Sequence, residues 1–256
     1  MKITQVRNAT LIIEYAGKKI LVDPMLAEKG AYPGFEGTAN SDKRNPLADL
    51  TMTMDEILAV DALIVTHLHP DHWDEAAKNL VPKDKLIFSQ NQDDAAAIQA
   101  AGFSNTRVLE QNTEFDGITL IKTPGQHGTD QAYAMIGEIL GKVCGVVFKH
   151  KDEKTLYLAG DTIWNGYVEE NLKAYQPDVV VLNCGDAQVP GLGSIIMNKE
   201  DVRKVHGAAP QAMLVASHME AVNHSMLSRQ ELREYSEANG MTDRLLVPND
   251  GEANTF

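Results

Sequence analysis

Short apolar runs rich in β-branched residues recur along the chain, and between them apolar positions fall three and four apart. Runs of the first kind predict strands, and spacing of the second kind predicts helices with one buried face. Three strands are expected before Asp23, then strands over 62–66, 86–89, 118–123, 143–149, 155–160, 178–183, 212–217 and 244–247. Helices are expected over 53–59, 71–79, 92–101, 165–174, 199–207 and 228–239. Strands alternating with helices in both halves make this an α/β chain and suit a pseudo-symmetric sandwich of two β/α halves. At 256 residues, with no low-complexity linker and no short-period repeat, one domain spanning 1–256 is expected.

The strand-like run Ala62-Leu63-Ile64-Val65 leads into Thr66-His67-Leu68-His69-Pro70-Asp71-His72. Of 8 histidines in the chain, three fall between positions 67 and 72, together with a carboxylate. Imidazole and carboxylate are the ligands that zinc and its first-row neighbours accept. Residues two apart in a strand point the same way, so His67 and His69 can reach one ion from the strand's end. Pro70 stops the strand, and Asp71 and His72 leave in a new direction, as ligands of a second, adjacent ion would have to. A two-metal centre is the expectation, although the cluster by itself does not separate one ion from two.

Three further strands end in a ligand type. Ile118–Lys122 leads to His127, Leu156–Gly160 to Asp161, and Met213–Ser217 to His218. Each places the candidate where loops converge on a site. There is no G-x-S-x-G, no G-x-x-x-x-G-K and no G-x-G-x-x-G, so neither a serine nucleophile nor a phosphate-binding glycine loop is signalled.

The pattern resembles the metallo-β-lactamase superfamily. The HxHxDH element matches His67, His69, Asp71 and His72; His127, Asp161 and His218 follow in order, and Leu21-Val22-Asp23-Pro24 matches the family's early Asp. Asn8–Tyr15 and Lys19–Pro24 look like the start of the bacterial metal-dependent hydrolases that include the L-ascorbate-6-phosphate lactonases. The resemblance implies a four-layer αββα sandwich with the site at one edge. It assigns His67, His69 and His127 to one ion and Asp71, His72 and His218 to another, with Asp161 bridging. Asp23 would orient a ligand imidazole by accepting its free N–H; the other reading is a turn residue before Pro24. His69 stands where oxygen-reducing diiron relatives carry Glu, which argues against that branch. Two divalent ions ~3.5–4 Å apart can share a hydroxide that attacks a carbonyl or phosphoryl centre, and Asp71 could orient it or pass its proton on.

Outside the ligand set, His224 follows His218 by six residues and is expected either to serve catalysis or to cap the helix near Ser228. His150 and His206 are expected to be solvated. Residues 26–52 break the rhythm of the chain: rich in Gly, Pro, Asn and Asp, they follow Asp23 and are expected to cover the site or to form a subunit interface. Tyr32, Phe35 and Arg44 are their substrate-facing candidates, Arg44 because a guanidinium clamps carboxylate or phosphate; the aromatics could equally pin the loop down.

Net charge of −13 disfavours nucleic acid as a partner. No run of 18 apolar residues predicts a membrane span, the N-terminus enters a strand without a basic-then-apolar leader, and Cys144 and Cys184 read as buried thiols. A cytoplasmic location is therefore expected, with a homo-oligomer left open. The function expected is a dinuclear metal-dependent hydrolase acting on a small ester, lactone, amide or phosphoester, with zinc first and manganese or iron as alternatives. Two readings compete with it: a phosphodiesterase or nuclease, and a metal-stabilised binding module without turnover.

Overall fold

The structure, a computed structural model, describes residues 1–256. Strands β1 (Lys2–Arg7), β2 (Thr10–Tyr15) and β3 (Lys18–Val22) form an antiparallel meander. Its second turn falls on Ala16 and Gly17, at φ 49° and 77°, the hand that a two-residue hairpin turn requires. After the long loop come α1 (Met54–Leu58), β4 (Ala62–Val65), α2 (Glu75–Leu80), β5 (Leu86–Ser89), α3 (Gln92–Ala100) and β6 (Thr106–Val108). Strands β3 to β6 pair in parallel.

The second half repeats the plan. Strands β7 (Thr113–Phe115), β8 (Ile118–Pro124), β9 (Cys144–Lys149) and β10 (Leu156–Leu158) are antiparallel, with α4 (Asp130–Leu140) inserted between β8 and β9. Helix α5 (Gly166–Tyr175), β11 (Val179–Asn183), the small hairpin β12 (Gln188–Val189) and β13 (Gly193–Ser194), α6 (Lys199–Ala208), β14 (Met213–Ser217), α7 (Arg229–Ala238) and β15 (Leu245–Leu246) follow. Strands β10, β11, β14 and β15 are parallel neighbours. The last strand, β16 (Ala253–Thr255), returns to pair with β1, so each main sheet has seven strands.

Side-chain alternation assigns the layers. Ala62 and Ile64 of β4 pack between the sheets, while Leu63 and Val65 face the outer cluster that holds Ile57, Ala77 and Ile98 of α1, α2 and α3. Val179 and Val181 of β11 likewise point inward, and Val180 and Leu182 pack under α5, α6 and α7 through Leu172, Val205 and Leu232. Strands buried on both faces read as continuous apolar runs, which is how they show in the sequence. The result is the expected four-layer αββα sandwich.

Three expectations need correction. The helix placed over 71–79 begins only at Glu75, because Asp74 is its N-cap: its carboxylate accepts from Ala77 N (2.6 Å) and from Ala27 N (2.8 Å). Asp71 and His72 therefore lie in a turn, with His72 N bonded to His69 O. Helix α4 lies outside the expected set, although Thr129 caps it by accepting from Ala132 N. His150 and His206 are half-buried rather than solvated: Asp152 N donates to His150 Nδ1 (3.2 Å), and the Arg244 guanidinium lies 3.2 Å from His206 Nδ1. Both cysteines are buried free thiols, and no helix is long and apolar enough to cross a membrane.

Candidate metal centre

The candidate ligands converge because their strands end on the same edge of the sandwich, where open parallel sheets present their sites. Strand β4 delivers His67, His69, Asp71 and His72; β8, β10 and β14 deliver His127, Asp161 and His218. Two backbone positions there are strained. Asp23 and His218 have φ of 44° and 58°, and the His218 backbone N–H donates to Asn8 O, holding the turn. Gly160, at φ 69°, turns β10 toward Asp161; a Cβ there would lie 2.3 Å from Cys144 O.

Donor atoms within 4.8 Å of one another form three groups: His67, His69 and His127; Asp71, His72 and His218; and His67, His72 and Asp161. Asp161 stands between the first two. Its Oδ2 is 3.1 Å from His72 Nε2, 3.6 Å from His127 Nε2, 3.7 Å from His218 Nε2 and 3.9 Å from His67 Nε2. Asn183 Nδ2 donates to the other oxygen at 2.7 Å and fixes the carboxylate plane. Asp71 Oδ2 lies 3.2 Å from His218 Nε2.

The outward nitrogens fix which way the lone pairs point. His72 Nδ1 donates to Asp23 Oδ2 (2.9 Å), His127 Nδ1 to Ile195 O (2.8 Å) and His69 Nε2 to Ile139 O (2.9 Å). Thr66 Oγ1 donates to Asp23 Oδ2 (2.7 Å) and so accepts from His67 Nδ1 (3.1 Å). Asp23 thus orients His72 directly and His67 through Thr66. The inward nitrogens converge: His67 Nε2 is 3.0 Å from His69 Nδ1, and His72 Nε2 is 3.2 Å from His218 Nε2, whose own Nδ1 has no partner. Such convergence of buried lone pairs and carboxylate oxygens costs free energy unless cations lie between them. The donor set fits divalent metal.

The charges agree. Burial acts to raise the Asp161 and Asp71 carboxyls, but His72 and His218 together outweigh it and hold both well below the usual carboxylate range. Burial pushes the His127 and His224 imidazoles each down to about 4, so both are neutral at pH 7.

A cavity of about 360 Å³ opens beside the donors, reaching His69, Asp71, His127, Asp161 and His224. Phe35, Ile136, Ile139, Leu140, Val189 and Ile195 form its apolar wall, and none of its 15 lining residues is Lys or Arg. Phe35 meets the His224 ring edge-on at 5.1 Å. His224 is buried with no partner for Nδ1, and the cap of α7 is Ser228 with its own capping box, so the capping role is excluded for His224. Tyr32 and Arg44 lie elsewhere. The Tyr32 hydroxyl accepts from Ala76 N at the start of α2, and exposed Arg44 donates to Gly30 O and Ala31 O, tying its own loop together. Sequence reasoning missed Thr66, Asn183, the carbonyls of Ile139 and Ile195, and the α4 part of the wall. Only α4 carried a legible signal, its Thr129 cap.

The family model of the beta-lactamase superfamily domain matches residues 18–221. The chain belongs to the beta-lactamase superfamily. Within it the chain is a member of the UPF0173 metal-dependent hydrolases: it is 51% identical over 257 residues to UPF0173 protein YddR of Bacillus subtilis (strain 168), covering 100% of both chains. A UPF0173 metal-dependent hydrolase of Herpetosiphon aurantiacus is 26% identical over 71% of this chain and 69% of its own. Among solved structures, an isothiocyanate hydrolase from Delia radicum gut bacteria superposes with TM-score 0.98 at 52% identity, covering 100% of this chain and 99% of that one. The HxHxDH element and the later His and Asp positions of this superfamily member are the residues gathered at the sheet edge.

Proposed function

We propose that this UPF0173 protein is a dinuclear hydrolase of small, uncharged, partly apolar molecules with an electrophilic carbon, and that isothiocyanates are the class to test first. The observation that carries this reading is the cavity, whose apolar wall ends on the metal donors and carries no cationic side chain. A phosphoester or phosphorylated lactone carries a charged group that the ions alone would have to hold, because the wall beyond them is largely apolar and no Lys or Arg there clamps a phosphate. The whole-chain similarity to an isothiocyanate hydrolase supports the same class.

His67, His69 and His127 would hold one ion, and Asp71, His72 and His218 the other, with Asp161 between them; zinc is the ion such a His-rich site suits. The ions would supply acidified water and charge stabilisation for attack on the carbon. Adding water across the C=N bond of an isothiocyanate puts oxygen on carbon and a proton on nitrogen, giving a thiocarbamate that splits into amine and carbonyl sulfide. Asp71 faces the cavity and can accept a proton; neutral His224, with its free Nδ1, can relay one. The apolar wall holds the organic substituent and excludes bulk water.

The test is metal content by elemental analysis on untagged protein, paired with turnover of isothiocyanates, lactones, thioesters and phosphodiesters. Near two equivalents with chelator-sensitive isothiocyanate hydrolysis is the expected result. Phosphodiester turnover in its place would overturn the substrate class, and full metal with no turnover across the panel would favour a binding module.

A further inference from the structure

The cavity wall that carries Phe35 belongs to the middle of the loop between β3 and α1; Arg7 of β1 ties down the loop's two ends through Met25 O, Ala27 O and Ala48 O, while its only ladder contact is the bridge between Tyr32 and Asn45. What holds the stretch around Phe35 is the residue before His224. Asn223 is fully buried, and its carboxamide is saturated. Oδ1 accepts from Phe35 N (3.0 Å) and Asn45 Nδ2 (2.7 Å), and Nδ2 donates to Thr38 Oγ1 (2.8 Å) and Ala39 O (2.7 Å). Its backbone joins in: Asn223 N donates to Asn45 Oδ1 (2.8 Å), and Asn223 O accepts from Asn40 Nδ2 (3.1 Å). A carboxamide offers two donors and two acceptors, so every one is used, and none of these bonds goes to a metal donor. A buried polar network satisfied to this degree specifies one geometry, because any shift leaves several groups unpaired.

We infer that Asn223, with Asn45 as its partner, is the positioning residue that sets the width of the cavity and thereby the size of apolar substituent it accepts. Asn223 fixes the Phe35 backbone on one side and precedes His224 in the chain on the other, so the ring-to-imidazole contact that closes the cavity is held from both ends by one side chain. The same hub extends to the opposite wall: Ala39 N donates to Gln188 O, and Gln188 N donates to His224 O, next to the wall residue Val189. The inference rests on the reading of the cavity as the substrate site. It does not depend on isothiocyanates being the substrate.

Three proteins test it: wild type, Asn223→Ala, and Thr38→Val, the last removing one hydroxyl acceptor while leaving Asn223 in place. Ions per chain are counted, trypsin nicking at the exposed Lys43 and Arg44 is timed, and binding of unreactive n-alkyl ureas from propyl to octyl is measured by calorimetry. In wild type, affinity should rise by about fourfold per methylene until the cavity is full, as burial of a CH2 dictates. Asn223→Ala should keep its metal, nick on the order of tenfold faster, and lose most of the chain-length dependence. Thr38→Val should move in the same direction by less. Loss of metal in Asn223→Ala, or faster nicking with an unchanged chain-length slope in both variants, overturns the inference. Wild type that binds the ureas but hydrolyses no isothiocyanate sinks the substrate class alone, and wild type that binds none of them sinks both.

Discussion

Asp23→Asn exchanges one heavy atom in the interior and is expected to loosen the metal centre without altering any candidate ligand. Asp23 Oδ1 accepts from Thr66 N (2.7 Å); Oδ2 accepts from Thr66 Oγ1 (2.7 Å) and His72 Nδ1 (2.9 Å). In the variant the amide oxygen keeps the first bond, and an NH2 group takes the place of Oδ2, where two donors already point. Thr66 can rotate its hydroxyl to accept, but its own proton then loses its acceptor, and His67 Nδ1 must share the oxygen with the new amide. His72 can answer only by moving its proton to Nε2, which removes the lone pair aimed at Asp161 and His218. Partners of this kind are worth ~10–100-fold in metal affinity, or ~1.4–2.8 kcal/mol. Competition against a chromophoric chelator, with ions per chain counted after dialysis, measures the effect. The ion held by Asp71, His72 and His218 should weaken most. Unchanged affinity for both ions would refute the reasoning, since it would mean that His72 does not need the carboxylate to present Nε2.

Further outcomes are expected. His67→Ala and Asp161→Ala should each abolish turnover and lower bound metal, and elemental analysis showing full metal with full activity would contradict their assignment. His224→Ala should retain both ions and lose turnover, because its ring lines the cavity outside the donor groups; metal loss in that variant would make it a ligand. Gly160→Ala should destabilise the fold by ~1–3 kcal/mol, from left-handed strain together with the close approach of Cys144 O, and thermal denaturation would show it. Chelation should lower the unfolding temperature of the wild type, and zinc should restore it, because the cations offset buried carboxylates and facing lone pairs.

The sequence by itself determined most strands of both sheets, six of the seven helices, and the set of candidate donors. It could do so because each strand buried on both faces is an apolar run and each donor stands directly beyond one, so a local signal marks both the element and the site. His67, His69, Asp71 and His72 are legible as a cluster for the same reason, and His224 and Phe35 because they border landmarks already read. Strands β6, β7, β12, β13 and β16 are two or three residues long and mostly polar, so they display neither a period nor an apolar run. Tertiary structure alone decided the rest. That Asp23 serves two imidazoles, that Asn183 holds Asp161, and that the carbonyls of Ile139 and Ile195 orient His69 and His127 are relations between residues far apart in the chain. A backbone carbonyl has no residue type to announce it. Tyr32 and Arg44 show the converse: their chemistry suited a substrate, but the loop's own hydrogen bonds turned them away from the cavity and left Phe35, held by Asn223, as its wall. Residue type fixes what a side chain can do, and only the packing of distant segments fixes what it faces.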